Sequence, residues 1–406
     1  MAELAGPSTP ARQQLIRTMN EQLLLDHIRR AGQLSRADLA RISSLSKPTV
    51  SGALANLERS GLVRASGTRT GMPGPAAVLY EIRPEAGYVL GLDVGSRFLR
   101  GAISDLSGAP RARSTVKVQA SGGHGRVTQL VQLAESLCAE VGIRLAEVTQ
   151  TVLGSPGVYD PRRDKLALAG ALSGWEKPAV LTELRAAFGI SLIMVNDVDA
   201  AALAERAYGH GRNVDSFALV SVGTGIGMGL VLGGRLHRGA HGVAGEIGYL
   251  PLGSDQSTDA RDAKRRGSFE AAASAAGIVR AARRAGMRGP VSARHVFAAA
   301  DRDDPRAVQI VADEAHLVAM AICAVITVAD PDLVVLGGGI GRAGGFVDAV
   351  GRELRRLAPV LPELRVSALG PDAVVDGCLA AGLDRAWELV TASPPAFAMP
   401  DGTGAA

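Results

Sequence analysis

The chain has 406 residues, is 47% hydrophobic and carries 44 Lys+Arg against 40 Asp+Glu. That length is too great for one ordinary domain and points to two or three, while the apolar share is enough for sizeable cores and excludes a disordered or fibrous polymer. There is no run of eighteen or more apolar residues, so no membrane span is expected. The three cysteines, Cys138, Cys323 and Cys378, form no C-x-x-C pair, as in a reduced cytoplasmic protein.

The net charge of +4 falls wholly within residues 1–90, and the rest of the chain balances. A basic excess confined to one end is the electrostatic footprint of a nucleic-acid binder. Residues 1–11 read as a frayed tail. A first helix is predicted over residues 12–30, where Leu15, Met19, Leu23, Leu24 and Ile28 recur at helical spacing and Gly32 stops it. Ser35-Arg36-Ala37-Asp38 is a capping box that starts a second helix, with Leu39, Ala40 and Ile42 on its buried face. After the turn Ser43-Ser44-Leu45, Ser46 caps a third helix with Pro48 in its first turn. Val50, Leu54 and Leu57 then face inward, and Lys47, Thr49, Ser51, Gly52 and Asn56 face outward. Two short helices joined by a tight turn, the second opening on small polar residues, suit entry into a major groove. Lys47, Thr49 and Ser51 offer donors to phosphates and bases. Leu62-Val63 and Val78-Leu79-Tyr80 read as wing strands, with Arg64 and Arg69 available for backbone or minor-groove contact around the tip, Ser66 to Pro75. Residues 12–85 are therefore expected to form a winged helix-turn-helix. A three-helix module with no DNA role is the plainer alternative.

From Tyr88 the texture changes. YVLGLDVGSRFLRGAI is strand, glycine turn, strand, and FALVSVGTGIGMGLVL, from Phe217, repeats the form, so that Val94-Gly95-Ser96 matches Val222-Gly223-Thr224. The duplication predicts two similar α/β lobes, about 86–205 and 206–391, facing each other across a cleft, the usual place for a ligand. The glycine turns let backbone N–H groups approach a phosphate or sugar. A third cluster, LVVLGGGIGRAG, satisfies G-x-G-x-x-G through Gly339, Gly341 and Gly344. It comes too late in the chain for paired dinucleotide-binding halves, and a strand-to-loop turn at the cleft is the plainer reading.

Polar candidates lie in four stretches: GSPG with Ser155, VNDVD with Asn196 and Asp197, GVAGEIGY with Glu246 and Tyr249, and SFEAAAS with Glu270. Carboxylates and amides converging on a cleft fit a polyol, whose vicinal hydroxyls each need a partner. Asp197, at a strand end, could also take a proton from a hydroxyl in phosphoryl transfer. Helix capping competes as a role for Asn196 and Asp197, and plain surface charge competes for Glu246 and Glu270.

Together these stretches resemble the ROK family (repressors, open reading frames and sugar kinases), and the head resembles its xylose and N-acetylglucosamine repressor branch. The matching segments are SRADLARISSLSKPTVSGALANLERSGLV, LGLDVGS, GSPGVYD, VNDVDAAALAE, SVGTGIGMGLVLGGRL, GVAGEIG and LVVLGGGIG, spread over about residues 12–390. The resemblance implies a winged helix-turn-helix followed by a two-lobed actin/hexokinase-like (ribonuclease H-like) domain. It implies sugar contacts from Ser155, Asn196, Asp197, Glu246, Tyr249 and Glu270, with Asp197 the base if the chain is a kinase. It implies phosphate-type loops at Asp93 and Gly95, at Gly223, Thr224 and Gly225, and at Gly338.

Several positions depart from the family pattern. The first phosphate loop, usually Asp-x-Gly-Gly-Thr, reads Asp93-Val94-Gly95-Ser96-Arg97, which counts against a nucleotide. Tyr249 replaces a zinc-ligating histidine, and Ser268 with the run from Arg261 to Gly267 replaces its cysteine cluster, so no metal and no cofactor are expected. Ala171 stands where an asparagine is usual before Gly174-Trp175, and Met72 where a wing arginine is usual. The expected protein is a cytoplasmic, sugar- or sugar-phosphate-responsive regulator of carbohydrate genes. It would bind a roughly palindromic double-stranded operator as a homodimer or homotetramer. A sugar kinase, alone or bifunctional, is the alternative, and an NAD-dependent enzyme is a weaker third. Residues 392–406 read as a disordered tail.

Overall fold

The computed structural model describes residues 9–70, 76–119, 122–170, 172–189, 191–252, 263–264 and 266–392. The wing tip with Met72, Ala171, most of the run from Arg261 and the two expected tails, save residues 9–11 and 392, lie outside them.

The head opens with α1 (Thr9–Ala31), longer than expected, followed by β1 (Gln33–Ser35), α2 (Arg36–Ser43), α3 (Lys47–Arg59), β2 (Val63–Arg69) and β3 (Ala77–Ile82). Local chemistry explains the helix starts. Ser35 and Asp38 cap each other's backbone in a complete capping box, and the Ser46 hydroxyl accepts from Thr49 N–H with Pro48 in the first turn. Two features differ from expectation. The short strand β1, which pairs with β3, has no sequence signal of its own. The apolar seam of α1 is buried only in its second half. Leu24, Leu25 and Ile28 are buried, whereas Leu15, Ile16 and Met19 are more than half exposed, because α2 and α3 cover only the end of the helix nearest them.

The first lobe contains β4 (Tyr88–Val94), β5 (Phe98–Asp105), β6 (Pro110–Lys117), α4 (Gly123–Val141), β7 (Gln150–Ser155), the small hairpin β8 (Val158–Asp160) and β9 (Lys165–Ala167), α5 (Pro178–Phe188), β10 (Ile193–Asn196) and α6 (Asp197–Tyr208). The second contains β11 (Phe217–Val222), β12 (Ile226–Leu232), β13 (Arg235–Leu236), α7 (Ser268–Ala273), α8 (Ala275–Arg284), α9 (Ala293–Ala300), α10 (Pro305–Ala329), β14 (Leu333–Gly337), α11 (Gly338–Gly341), α12 (Phe346–Leu357) and β15 (Glu363–Val366). The described residues end with α13 (Ala373–Ala392). The sheets run β6-β5-β4-β7-β10 and β13-β12-β11-β14-β15. Each is an antiparallel three-strand meander extended by two parallel strands, in the same order, as the repeated hairpin predicts. The G-x-G-x-x-G stretch follows β14 of the second of these mixed sheets, through α11, and is not part of a paired dinucleotide-binding fold.

The helix α10 has the length and hydropathy of a membrane span. Ile310, Val318, Ile322 and Ile326 are nevertheless buried in the second lobe's core, and Asp313, Glu314 and His316 interrupt it, so its apolarity is that of a core helix.

The second lobe does not run to residue 391. From residue 373 the chain returns to the first lobe, where α13 packs on α6, β4 and β7. A Cβ on Gly377 would fall 1.7 Å from the Ala200 carbonyl oxygen, so only glycine lets α13 and α6 approach this closely. At its far end Trp387 and Val390 share one buried cluster with Ala86 and Leu106 and with Leu25, Ile28 and Leu57 of the head. Arg29 pairs with Asp384 at 2.9 Å and lies over the Trp387 ring. The core of the head is thus continuous with that of the first lobe.

Candidate functional site

On the head, α3 turns Lys47, Ser51, Gly52 and Ala55 to solvent. Thr49 is half-buried, with its hydroxyl 2.8 Å from that of Ser46. Asn56 does not share this face: its amide donates to Glu21 of α1 at 2.7 Å, and Arg59 donates back to its carbonyl oxygen. The next turn of α3 has rotated it toward α1. The wing arginines are also engaged. Arg64 pairs with Glu81 at 2.8 Å and Glu85 at 3.3 Å, and Arg69 with Asp38 at 3.0 Å. Of the positions expected to meet a duplex, Lys47 and Ser51 are exposed at the start of α3, and Arg64 and Arg69 keep part of their side chains in solvent within their ion pairs.

A cavity of about 430 Å³ opens between the lobes. It gathers Asp93 and Gly95 from the first hairpin, Gly223, Thr224 and Gly225 from the second, Gly338 after β14, and Asn196, Asp197, Glu246, Tyr249 and Glu270. Gly338 adopts φ +75°, where a Cβ would lie 2.3 Å from the Val222 carbonyl oxygen, so the turn that brings β14 to the cavity requires glycine.

Ser155 does not reach the cavity. It is 2% exposed, and its hydroxyl accepts from the Trp175 indole at 2.8 Å and donates to the Pro156 carbonyl, holding the loop from beneath. Asn196 lines the cavity but also caps α6, with its carbonyl oxygen accepting from Val198 and Asp199 N–H and its amide donating to Gly157. Arg97, expected to crowd the first phosphate loop, is exposed and lies over Phe98.

The arginine of this hairpin that does reach the cavity is Arg100, which donates to Asp93 at 3.0 Å and lies 3.7 Å from Asp372. Reasoning from sequence missed it, although the signal was present: in a β4–β5 hairpin turning at Gly95-Ser96, Asp93 and Arg100 are direct cross-strand partners. Asp199 and Arg266 are further lining residues that were not singled out.

The electrostatics are governed by crowded carboxylates. Burial, then repulsion from Asp197, Asp199 and Glu270, pushes the Glu246 carboxyl up to about 7. Burial and Asp197 push Asp93 up to about 7 against the pull of Arg100. Burial raises Asp199 to about 6 and raises Asp197 as well. Near neutral pH such groups accept a hydrogen bond when ionised and donate one when protonated, which suits hydroxyls of either polarity. Among the described residues no group of three or more His, Cys, Asp or Glu is arranged to hold a metal ion. Tyr249 and Ser268, at the family's ligand positions, do not supply the nitrogen and thiolate donors that a structural zinc takes.

A ROK family model matches residues 89–373. The chain belongs to the ROK family. A MarR family model matches residues 18–70, within the head of this ROK protein. Over 391 residues, 90% of this chain and 96% of the relative, the sequence is 25% identical to a putative xylose repressor of Caldicellulosiruptor sp. (strain Rt8B.4). A crystal structure of a ROK family transcriptional regulator, a homologue of the E. coli MLC protein, superposes with TM-score 0.73 at 22% identity, covering 93% of this chain and 98% of that one, and so shares head and lobes alike. The ROK hexokinase of Thermus thermophilus, at 30% identity and TM-score 0.64, covers 74% of this chain and 99% of its own. The ROK fold without the head thus occurs in kinases, whereas the regulator and the putative repressor match nearly the whole chain.

Proposed function

We propose that this ROK protein is a cytoplasmic, sugar-responsive DNA-binding repressor of carbohydrate genes, acting as a homodimer on a roughly palindromic operator. One observation carries the reading: a helix-turn-helix head shares its buried core with a lobe that walls a carboxylate-lined cleft. Asn196 and Asp197 open α6, α6 packs on α13, and α13 ends in the head's core through Trp387 and Val390. A sugar that draws the lobes together moves α6 and α13, and thereby biases the head between DNA-competent and incompetent positions. The similarity to a putative xylose repressor over nearly the whole chain supports the same reading.

The test is selection of duplexes from a random library by the purified protein, followed by a sugar titration of the selected complex. Enrichment of a two-fold symmetric site whose occupancy changes with a sugar is expected; the absence of any sequence-selective binding overturns the proposal. A kinase activity is the second reading, favoured by Asp197 and the Gly223–Gly225 loop on one cavity. Sugar-dependent ATP turnover abolished by Asp197→Asn would establish it. Against it stands the Arg100–Asp93 pair at the first phosphate loop.

A further inference from the structure

We propose that the cleft is built for an uncharged polyol and discriminates against the same sugar carrying a phosphate. The proposal rests on the sensor reading above. Five carboxylates face the cavity, Asp93, Asp197, Asp199, Glu246 and Glu270, against two arginines among the described lining residues, Arg100 and Arg266. Both arginines already face carboxylates: Arg100 lies 3.0 Å from Asp93, and Arg266 3.7 Å from Glu270. Above pH 7, where Asp93, Asp199 and Glu246 are ionised, a phosphate ester would add up to two negative charges to a site already in excess of carboxylate, where each like charge held a few ångströms away opposes binding.

The backbone agrees with the charges. A phosphate in a glycine loop or at a helix N-terminus is held by free N–H groups. Here several such groups are turned inward. Gly95 N–H donates to the Phe98 carbonyl, and Gly223 N–H to the Gly225 carbonyl. Ile226 N–H is taken by the Glu270 carboxylate at 2.8 Å. At the start of α6, Val198 N–H donates to Asn196 and Asp197, and Asp199 N–H to Asn196. At Ile226, Val198 and Asp199 the side chains that fill these N–H groups, Glu270, Asn196 and Asp197, are the ones a polyol would meet. A neutral sugar can donate its hydroxyls to them without displacing anything, whereas a phosphate would have to break these bonds and approach the carboxylates together.

Isothermal titration of the full chain at about pH 8 and low ionic strength, where the cavity carboxyls are ionised, tests this with D-glucose, D-xylose, N-acetylglucosamine and N-acetylmannosamine, each against its phosphate ester. A neutral member is expected to bind, and its ester at least ~30-fold more weakly, with the gap narrowing as salt is added. The variant Asp199→Asn, checked for folding by its thermal melt, should narrow the gap to roughly a third or less. An ester that binds as tightly as its parent sugar overturns the inference while leaving the sensor reading intact. A gap unchanged both by salt and by Asp199→Asn overturns it too, since charge would not then be the discriminant. Failure of every sugar and every ester to bind overturns the sensor reading and this inference with it.

Discussion

Glu246 shows how one carboxyl can couple ligand, proton and stability. Its carboxyl is held at about 7 by burial and three acidic neighbours, well above the value it takes in an unfolded chain. Between about pH 4.5 and 7 the folded protein therefore keeps a proton that the unfolded chain has released, and stability falls as pH rises through that window. Glu246→Gln removes this cost. Its thermal melt should lie above the parent's at pH 8, by roughly 1–2 kcal/mol after solvent screening, and should converge with it near pH 4.5. The same variant should bind DNA normally but respond poorly to sugar; a full sugar response would place the ligand elsewhere. Residue identities were readable where short motifs specify them, as at Asn196–Asp197 and Glu246. Their orientations were less so. Ser155 stands one position from the cleft yet points into the core at Trp175, and Arg97 yields to Arg100, because strand alternation and loop twist decide which neighbour faces the cavity.

The recognition helix α3 is the element with the most direct consequence for DNA. Asn56, Arg64 and Arg69 contact Glu21, Glu81, Glu85 and Asp38, while Lys47 stands exposed at the entry of the helix. Lys47→Ala should weaken binding to specific and random duplexes alike and flatten the dependence of log K on log salt by ~1. An unchanged salt slope in a filter-binding titration would remove Lys47 from the phosphate contacts. Both helix starts in the head were legible because capping is local: Ser35 with Asp38, and Ser46 with Pro48, carry their signal within four residues. The strand β1 was not, because Gln33–Ser35 becomes a strand only when β3 arrives from over forty residues away to pair with it. The half-exposed face of α1 escaped for a related reason, since periodicity reports an apolar stripe but not what covers it.

At the scale of the whole molecule, the duplicated lobes were legible because a repeated hairpin announces a repeated sheet. The return of α13 to the first lobe was not, because no local pattern says which lobe a terminal helix joins. That helix is where sensing meets DNA in the proposed mechanism. Trp387→Leu should cost about 2–3 kcal/mol of stability, leave sugar affinity and basal DNA binding within a few-fold of the parent, and sharply reduce the effect of sugar on DNA occupancy. Arg29→Ala, at a largely exposed ion pair, should cost less than about 1 kcal/mol. Full sugar control of DNA binding in Trp387→Leu would show that the signal travels by another route.

The shared core also sets an order of assembly. The head precedes both lobes in the chain, but Trp387 and Val390, which close part of its base, follow them. Until α13 is made, the head lacks the part of its seat that this helix supplies. A polypeptide broken off before residue 373 would carry a head seated only on Ala86, Val89, Ala102 and Leu106, without Trp387 and Val390. In the proposed mechanism a firmly seated head therefore comes only with α13, and so with both walls of the cleft that answers to the sugar, which guards against DNA binding that no ligand can control.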